Sequence, residues 1–256
     1  MNINAISISR KGVWDECAQK YKFRYHLNVP SPEPTPFYFT YGKIVHKIAE
    51  HYVVSKKPLK EVCADVLLGR IPIEQTPEGQ DIFVPAIPKD YKAKLPEHVQ
   101  ALELLTEKVG LEGIVEYKFS YDLDPPNNRF VTGFIDRIIN KNGKYFLIDY
   151  KTTKKGSWRK DEISIVGDLQ LRCYARVIQK EFNVDPSDIR GALYYLDGAN
   201  LVPVRFTEKS LIEAEQILLK AYMEIERSNP DTVIGNVGRH CSRCDYKSIC
   251  AFNLAR

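Results

Sequence analysis

The sequence predicts an α/β fold, a mixed sheet with helices on both sides, and three features carry that prediction. An Asn-Gly pair separates two apolar runs, VTGFIDRIIN and YFLIDYK, the strongest short-range mark of a β-hairpin. Two further apolar runs, GALYYL and LVPVRF, read as a second hairpin across residues 197–200. Stretches with apolar residues at three- and four-residue spacing precede, separate and follow these hairpins, and they read as helices.

Taken in order, the elements begin with a helix from Ser7 or Ser9, where a serine can cap the first turn and Val13, Trp14, Cys17 and Tyr21 form the buried face. Residues 29–36, VPSPEPTP, form a connector, because each proline removes a donor and biases its predecessor toward extended backbone. A second helix is expected over residues 39–55, with Gly42, His46 and Glu50 on one face. Residues 69–96 read as a long loop with at most short elements, followed by a short helix at 97–109 and an alternating strand at 114–121. After the first hairpin, a helix is expected at 164–182. The second hairpin precedes an amphipathic helix at 210–227, with Leu211, Ala214, Ile217, Leu218, Ala221 and Ile225 on one side, and then a cysteine-rich coil.

Composition bounds the possibilities. A chain of 256 residues, 44% hydrophobic, can bury one substantial core, or one core with a small appended lobe. No window approaches the roughly 18 apolar residues of a membrane span, and the first residues lack the order of a secretory signal. A soluble, cytoplasmic protein is expected. The net charge of +4 suits a nucleic-acid partner without requiring one. Six cysteines without an export signal should be reduced thiols, and their spacing reads as metal or cluster ligation rather than as a disulfide framework.

The first hairpin carries the chemistry. With Asn142 and Gly143 as its loop, Asp136 lies directly opposite Asp149, with Cβ atoms about 5 Å apart. Two like charges at that separation call for a cation or a shared proton, and hard oxygen ligands suit Mg²⁺ or Mn²⁺. Period two places Lys151 on the same face as Asp149, where an ammonium can orient an attacking water and stabilise its deprotonated form. Phe134, Ile138 and Leu147 share that face and predict its burial. Two carboxylates and a lysine so arranged make a phosphodiesterase centre.

On these residues the chain resembles the PD-(D/E)XK nuclease superfamily, and specifically its RecB-like branch, which includes the AddB nuclease domain and the CRISPR-associated RecB-like exonucleases. The motifs run in the family's order: Gly42 to His46, Glu116, Gly133 to Asp136, Asp149-Tyr150-Lys151, and Gln170 to Tyr174. Ile135 stands where the superfamily's name has proline. The resemblance implies a restriction-endonuclease-like mixed sheet flanked by helices. It implies that Asp136 and Asp149 bind metal with the Tyr150 carbonyl and His46, that Lys151 positions the nucleophilic water, and that Glu116 supports the metal. Gln170 and Tyr174, four apart on one helical face, would steady Lys151 or touch DNA.

Cys241, Cys244 and Cys250 give C-x2-C-x5-C near one end of the chain, with Cys17 near the other. Four thiolates suit tetrahedral zinc or an iron-sulfur cluster, and spacing does not choose between them. The resemblance favours a 4Fe-4S cluster, with zinc the lesser alternative, although Ala18 follows Cys17 where the family often has proline. The implied organisation is a single RecB-like nuclease domain over residues 1–256, with a catalytic core at about 37–227 and a cluster subdomain joining about 1–30 to 228–256. Cys173 reads as a small buried hydrophobe, and Cys63 has no assigned role.

The function so implied is a metal-dependent DNA exonuclease acting at single-stranded ends in repair, recombination or CRISPR spacer processing, alone or with helicase, recombination or CRISPR proteins. Two alternatives stand beside it: a structure-selective or nonspecific endonuclease, and a noncatalytic iron-sulfur protein that binds DNA or a partner. The run after the catalytic strand, with Lys154, Lys155, Trp158 and Arg159, can track a nucleic-acid strand or be a solvated loop.

Overall fold

A computed structural model of the chain describes residues 1, 3–76, 78–154, 156 and 158–252. In order, the elements are β1 (Ala5–Ile6), α1 (Ile8–Glu16), α2 (Ala18–Tyr21), α3 (Phe37–Ser55), α4 (Leu59–Leu67), β2 (Glu74–Gln75), β3 (Asp81–Ile82) and α5 (Lys89–Val109). There follow β4 (Ile114–Asp124), β5 (Arg129–Lys141), β6 (Lys144–Lys151), α6 (Leu169–Phe182), β7 (Ile189–Tyr195), β8 (Asn200–Arg205) and α7 (Glu208–Arg227). The chain divides into two compact units. One comprises Met1–Pro36, Lys118–Gly133 and Lys209–Arg256; the other comprises Phe37–Tyr117 and Phe134–Glu208.

The second unit contains a mixed sheet flanked by helices. β5 and β6 are antiparallel, β6 and β7 parallel, and β7 and β8 antiparallel. The parallel step needs a crossover, and α6 supplies it, packing on β6 and β7. Tyr41, Ile44 and Ile48 of α3, Val62 and Val66 of α4, and Leu102 and Leu105 of α5 share one core with Ile148 and Tyr150 of β6. Gly113 holds a backbone φ of +129°, and a Cβ there would lie 2.5 Å from the carbonyl oxygen of Ile138, so only glycine fits.

Three local expectations are corrected. α5 begins at Lys89 and runs through Pro96, where a loop was expected. The proline forfeits one helical hydrogen bond, yet His98, Ala101, Leu102 and Leu105 bury one face and hold the helix through it. α4 is a helix beyond those the sequence predicts; Leu59, Val62, Cys63 and Val66 bury its apolar stripe, which gives Cys63 a packing role. The helix expected from residue 164 is split, because the Asp168 side chain accepts the Leu171 N–H at 2.8 Å and starts α6 afresh after a 3₁₀ turn at Ser164–Gly167.

In the first unit, Ser7 caps α1 by accepting the Arg10 N–H, as expected, but the helix stops at Glu16 because Cys17 is extended. α2 and a π-helical turn at Lys22–His26 continue the path. β1 lies parallel to β5, with Ile6 opposite Val131. The N-terminal segment and the tail are joined in several places: Arg24 pairs with Asp245, the Phe23 and Tyr246 rings lie 5.3 Å apart, and the Tyr246 hydroxyl donates to the Val29 carbonyl at 3.0 Å. Along α7 the expected face is buried except for Ile217, which is exposed. Among the described residues, no helix is long and apolar enough to cross a membrane.

Candidate active site

The hairpin turn is the local cause of the site. Asn142 and Gly143 both take positive φ, 53° and 81°, as a tight primed turn requires, and the Asn140 side chain accepts the Gly143 N–H. The ladder runs from Lys141 opposite Lys144 to Arg137 opposite Ile148, the expected register. At the next position Asp136 takes the Tyr150 N–H on its own carboxylate at 2.7 Å. Side chain thus replaces backbone as acceptor where β5 leaves β6, while β6 keeps β7 as a partner through Lys151 opposite Tyr195. Ile138 and Leu147 on this face are buried as expected. Phe134 is 50% exposed, because it lies beyond the end of the ladder with β6.

α3 brings His46 to this opening. Its Nδ1 lies 3.4 Å from the Asp136 carboxylate and its Nε2 lies 3.2 Å from the Tyr150 carbonyl oxygen. Glu116, from β4, completes a group with His46 and Asp136 in which one ligand atom from each lies within 4.8 Å of the others. Glu116 adopts a left-handed φ of 47°, a conformation that costs a β-strand residue about 1–2 kcal/mol and recurs where side chains are aimed at a site. One imidazole nitrogen and two carboxylates, with a backbone carbonyl beside them, form a donor set that fits a hard divalent cation.

The titration pattern has the same origin. Burial works against a charge on His46, but Asp136, Asp149 and Glu116 outweigh it and raise the imidazole to about 9. Burial and the Asp136 carboxylate push Glu116 up to about 7 against the pull of His46. Burial and Asp136 likewise raise Asp149 to about 6. Burial disfavours charge on Asp136 too, yet His46 and the Tyr150 N–H hold it below the usual carboxylate range. Three acids crowded around one imidazole are what a cation would relieve.

Asp149 is 2% exposed and lies outside the group of three; its Oδ2 is 2.6 Å from Lys151 Nζ. Lys151 also donates to Gln170 Oε1 at 3.0 Å, and Gln170 Nε2 donates to the Tyr174 hydroxyl at 2.8 Å. Four-residue spacing on α6 sets Gln170 above Tyr174. A chain of three side chains therefore holds the ammonium, whose proton is retained because Asp149 and Asp136 outweigh burial.

The cleft above these groups measures about 620 Å³ and is also lined by Tyr38, Phe39 and Lys43, which the sequence reading did not single out. The signal was present as the aromatic run Phe37-Tyr38-Phe39 at the start of α3. Buried Arg137, which the sequence did not mark, donates to the carbonyls of Gly110 and Glu112 and so ties β5 to the segment before β4. In the loop after β6, Lys154 is exposed and Trp158 is 94% exposed. Arg159 instead binds the Thr153 carbonyl and Asp197 and lies over the Tyr195 ring. Lys155 lies outside the described residues.

In the first unit, Cys17, Cys241, Cys244 and Cys250 line a single small cavity. The Gly238 N–H points to Cys241 Sγ and the Tyr246 N–H to Cys244 Sγ, each at 3.5 Å. Cys173 and Cys63 are buried elsewhere, in α6 and α4.

No curated protein sequence matches this chain. Among solved structures, the chain is similar to a Eubacterium rectale protein named "Putative exonuclease", with a TM-score of 0.53 and 13% identity over 96% of this chain and 89% of that one. It is also similar to SSO0001, with a TM-score of 0.38 and 16% identity over 92% of this chain and 95% of that one. The first likeness concerns the fold alone, and the second carries no further weight. A sequence profile matches residues 5–251, and by that match the chain belongs to the PD-(D/E)XK nuclease superfamily.

Proposed function

We propose that the protein is a metal-dependent deoxyribonuclease that acts as an exonuclease at single-stranded DNA ends. The observation that carries this reading is the meeting of two assemblies in one cleft: the His46, Glu116 and Asp136 donor group, and Lys151 held between Asp149 and Gln170. Nucleases of this superfamily use divalent metal ions. When bound, such an ion supplies Lewis-acid stabilisation of the charge that develops on the phosphate.

In this reading His46, Asp136, Glu116 and the Tyr150 carbonyl would hold the ion, and Asp149, which pairs with Lys151, would add a further carboxylate. Lys151 keeps its proton and donates toward the attacking water or a phosphate oxygen, a preorganised positive charge in a half-buried cleft. Gln170 limits its rotation and Tyr174 limits that of Gln170, so the ammonium is in place before substrate arrives.

The four cysteines of the first unit are assigned to a 4Fe-4S cluster of structural role, with zinc the lesser alternative. Their shared cavity and the N–H groups directed at two of the sulfurs favour thiolate ligation. Such a cluster would close a loop of more than 200 residues between Cys17 and Cys241. The sequence resemblance to the RecB-like branch favours a role in repair, recombination or CRISPR spacer processing. Digestion of linear but not closed circular single-stranded DNA, with Mg²⁺ or Mn²⁺, tests the exonuclease reading, and nicking of the circle would make the protein an endonuclease.

A further inference from the structure

We infer that Tyr38 and Phe39 form a stacking platform for the terminal bases of a single-stranded substrate, which deepens the nuclease reading above and rests on it. Four aromatic residues open α3, and they divide by face. Phe37 and Tyr41, four apart, turn inward, with both rings about 5 Å from that of Tyr91. Tyr38 and Phe39 turn outward, 53% and 52% exposed, and their rings touch each other with centroids 4.3 Å apart. Internal packing does not require large apolar rings at these two positions.

Their location supplies a reason. Both line the cleft that contains Asp136, Asp149 and Lys151. Phe39 precedes His46 by seven residues, two helical turns, and so lies on the same face about 10 Å along the axis. Between them, Gly42 leaves the cleft wall bare. A glycine inside a helix costs about 1 kcal/mol relative to alanine, and here nothing in the protein crowds it, since an added Cβ would meet only Thr152 Oγ1, at 4.0 Å. A bare helix surface flanked by an aromatic pair on one side and the donor group on the other suits a strand that stacks its bases on the rings and delivers a phosphate to the metal site. Bases in a duplex are already stacked on their neighbours, so the platform discriminates in favour of single strands.

The test compares native protein with a Tyr38→Ala, Phe39→Ala double variant on a single-stranded oligonucleotide and on the same oligonucleotide with abasic terminal positions. Stacking contributes about 1–3 kcal/mol per base, so the double variant should lose roughly 10- to 100-fold in kcat/KM on the intact oligonucleotide, mostly through KM. The loss on the abasic substrate should be several-fold smaller, and a Tyr38→Phe, Phe39→Trp variant should restore the intact-substrate rate. Equal losses on both substrates, or no loss, would overturn the proposal. Should native protein cleave neither, the nuclease reading fails by itself. The platform is then judged by quenching of a terminal 2-aminopurine oligonucleotide on binding, which native protein shows and the double variant loses if the proposal holds. Absence of quenching by native protein overturns it.

Discussion

Gln170 accepts a hydrogen bond from Lys151 at 3.0 Å and passes its own N–H to the hydroxyl of Tyr174, so the ammonium at the site is held by a residue that need never touch substrate. Gln170→Ala should lower kcat by roughly 10- to 100-fold, the scale for losing a group that orients a site residue, with KM little changed. Tyr174→Phe should have a smaller effect of the same kind. Steady-state kinetics on a linear oligonucleotide checks both, and a change confined to KM would instead mark Gln170 as a substrate contact.

Metal affinity should rise with pH. His46, raised to about 9, and Glu116, raised to about 7, must each give up a proton to become ligands. Affinity for Mn²⁺ should therefore climb by nearly two decades per pH unit between about 6 and 7 and by about one between 7 and 9, and Glu116→Gln should weaken binding and flatten the lower limb. Calorimetric titration at several pH values measures this.

The metal-free protein should show the opposite trend from these two groups. Both have folded pKa values above their ordinary 6.5 and 4.5, so their contribution to stability is complete below those values and is lost as pH rises through about 7 for Glu116 and about 9 for His46. Denaturation of chelated protein between pH 6 and 10 should show native protein losing stability relative to a His46→Ala, Glu116→Gln variant, and added Mn²⁺ should reverse the loss.

Cys244→Ala should abolish bound iron and the brown colour of protein purified without oxygen. It should lower the unfolding temperature, because the proposed cluster would lose one of the four thiolates joining Cys17 to the tail. Metal analysis beside thermal denaturation checks this, and one zinc with no iron in fresh native protein would overturn the cluster assignment.

Gly113→Ala should destabilise the protein by about 2 kcal/mol or more. The added Cβ meets the Ile138 carbonyl oxygen at 2.5 Å, and the backbone φ of +129° is one that L-residues rarely adopt. Urea denaturation of the variant measures the loss.

Much of this was legible because local rules set it. Asn142-Gly143 takes the tight turn expected of it, and that turn sets the ladder register from Lys141 opposite Lys144 to Arg137 opposite Ile148. What could not be read depended on tertiary context. The register predicts two opposed carboxylates, but the ladder opens at Asp136, so that carboxylate turns to His46 and Glu116 while Asp149 turns to Lys151. Pro96 argued for a helix boundary that burial of His98 and Leu102 overrides. Tyr38 and Phe39 differ from Phe37 and Tyr41 only in which way the helix faces, and Tyr91, some 50 residues away, covers one pair and leaves the other exposed.

The most direct test of the account is cleavage of end-labelled linear single-stranded DNA by native, Asp149→Ala and Lys151→Ala proteins, with Mg²⁺ or Mn²⁺ and with chelator. Metal-dependent digestion by native protein that both substitutions reduce at least 100-fold is the predicted result. No cleavage by folded, metal-loaded native protein, or equal cleavage by all three, would contradict a catalytic centre built on the Asp136 to Lys151 hairpin, and the former would favour a noncatalytic DNA-binding or partner-binding role.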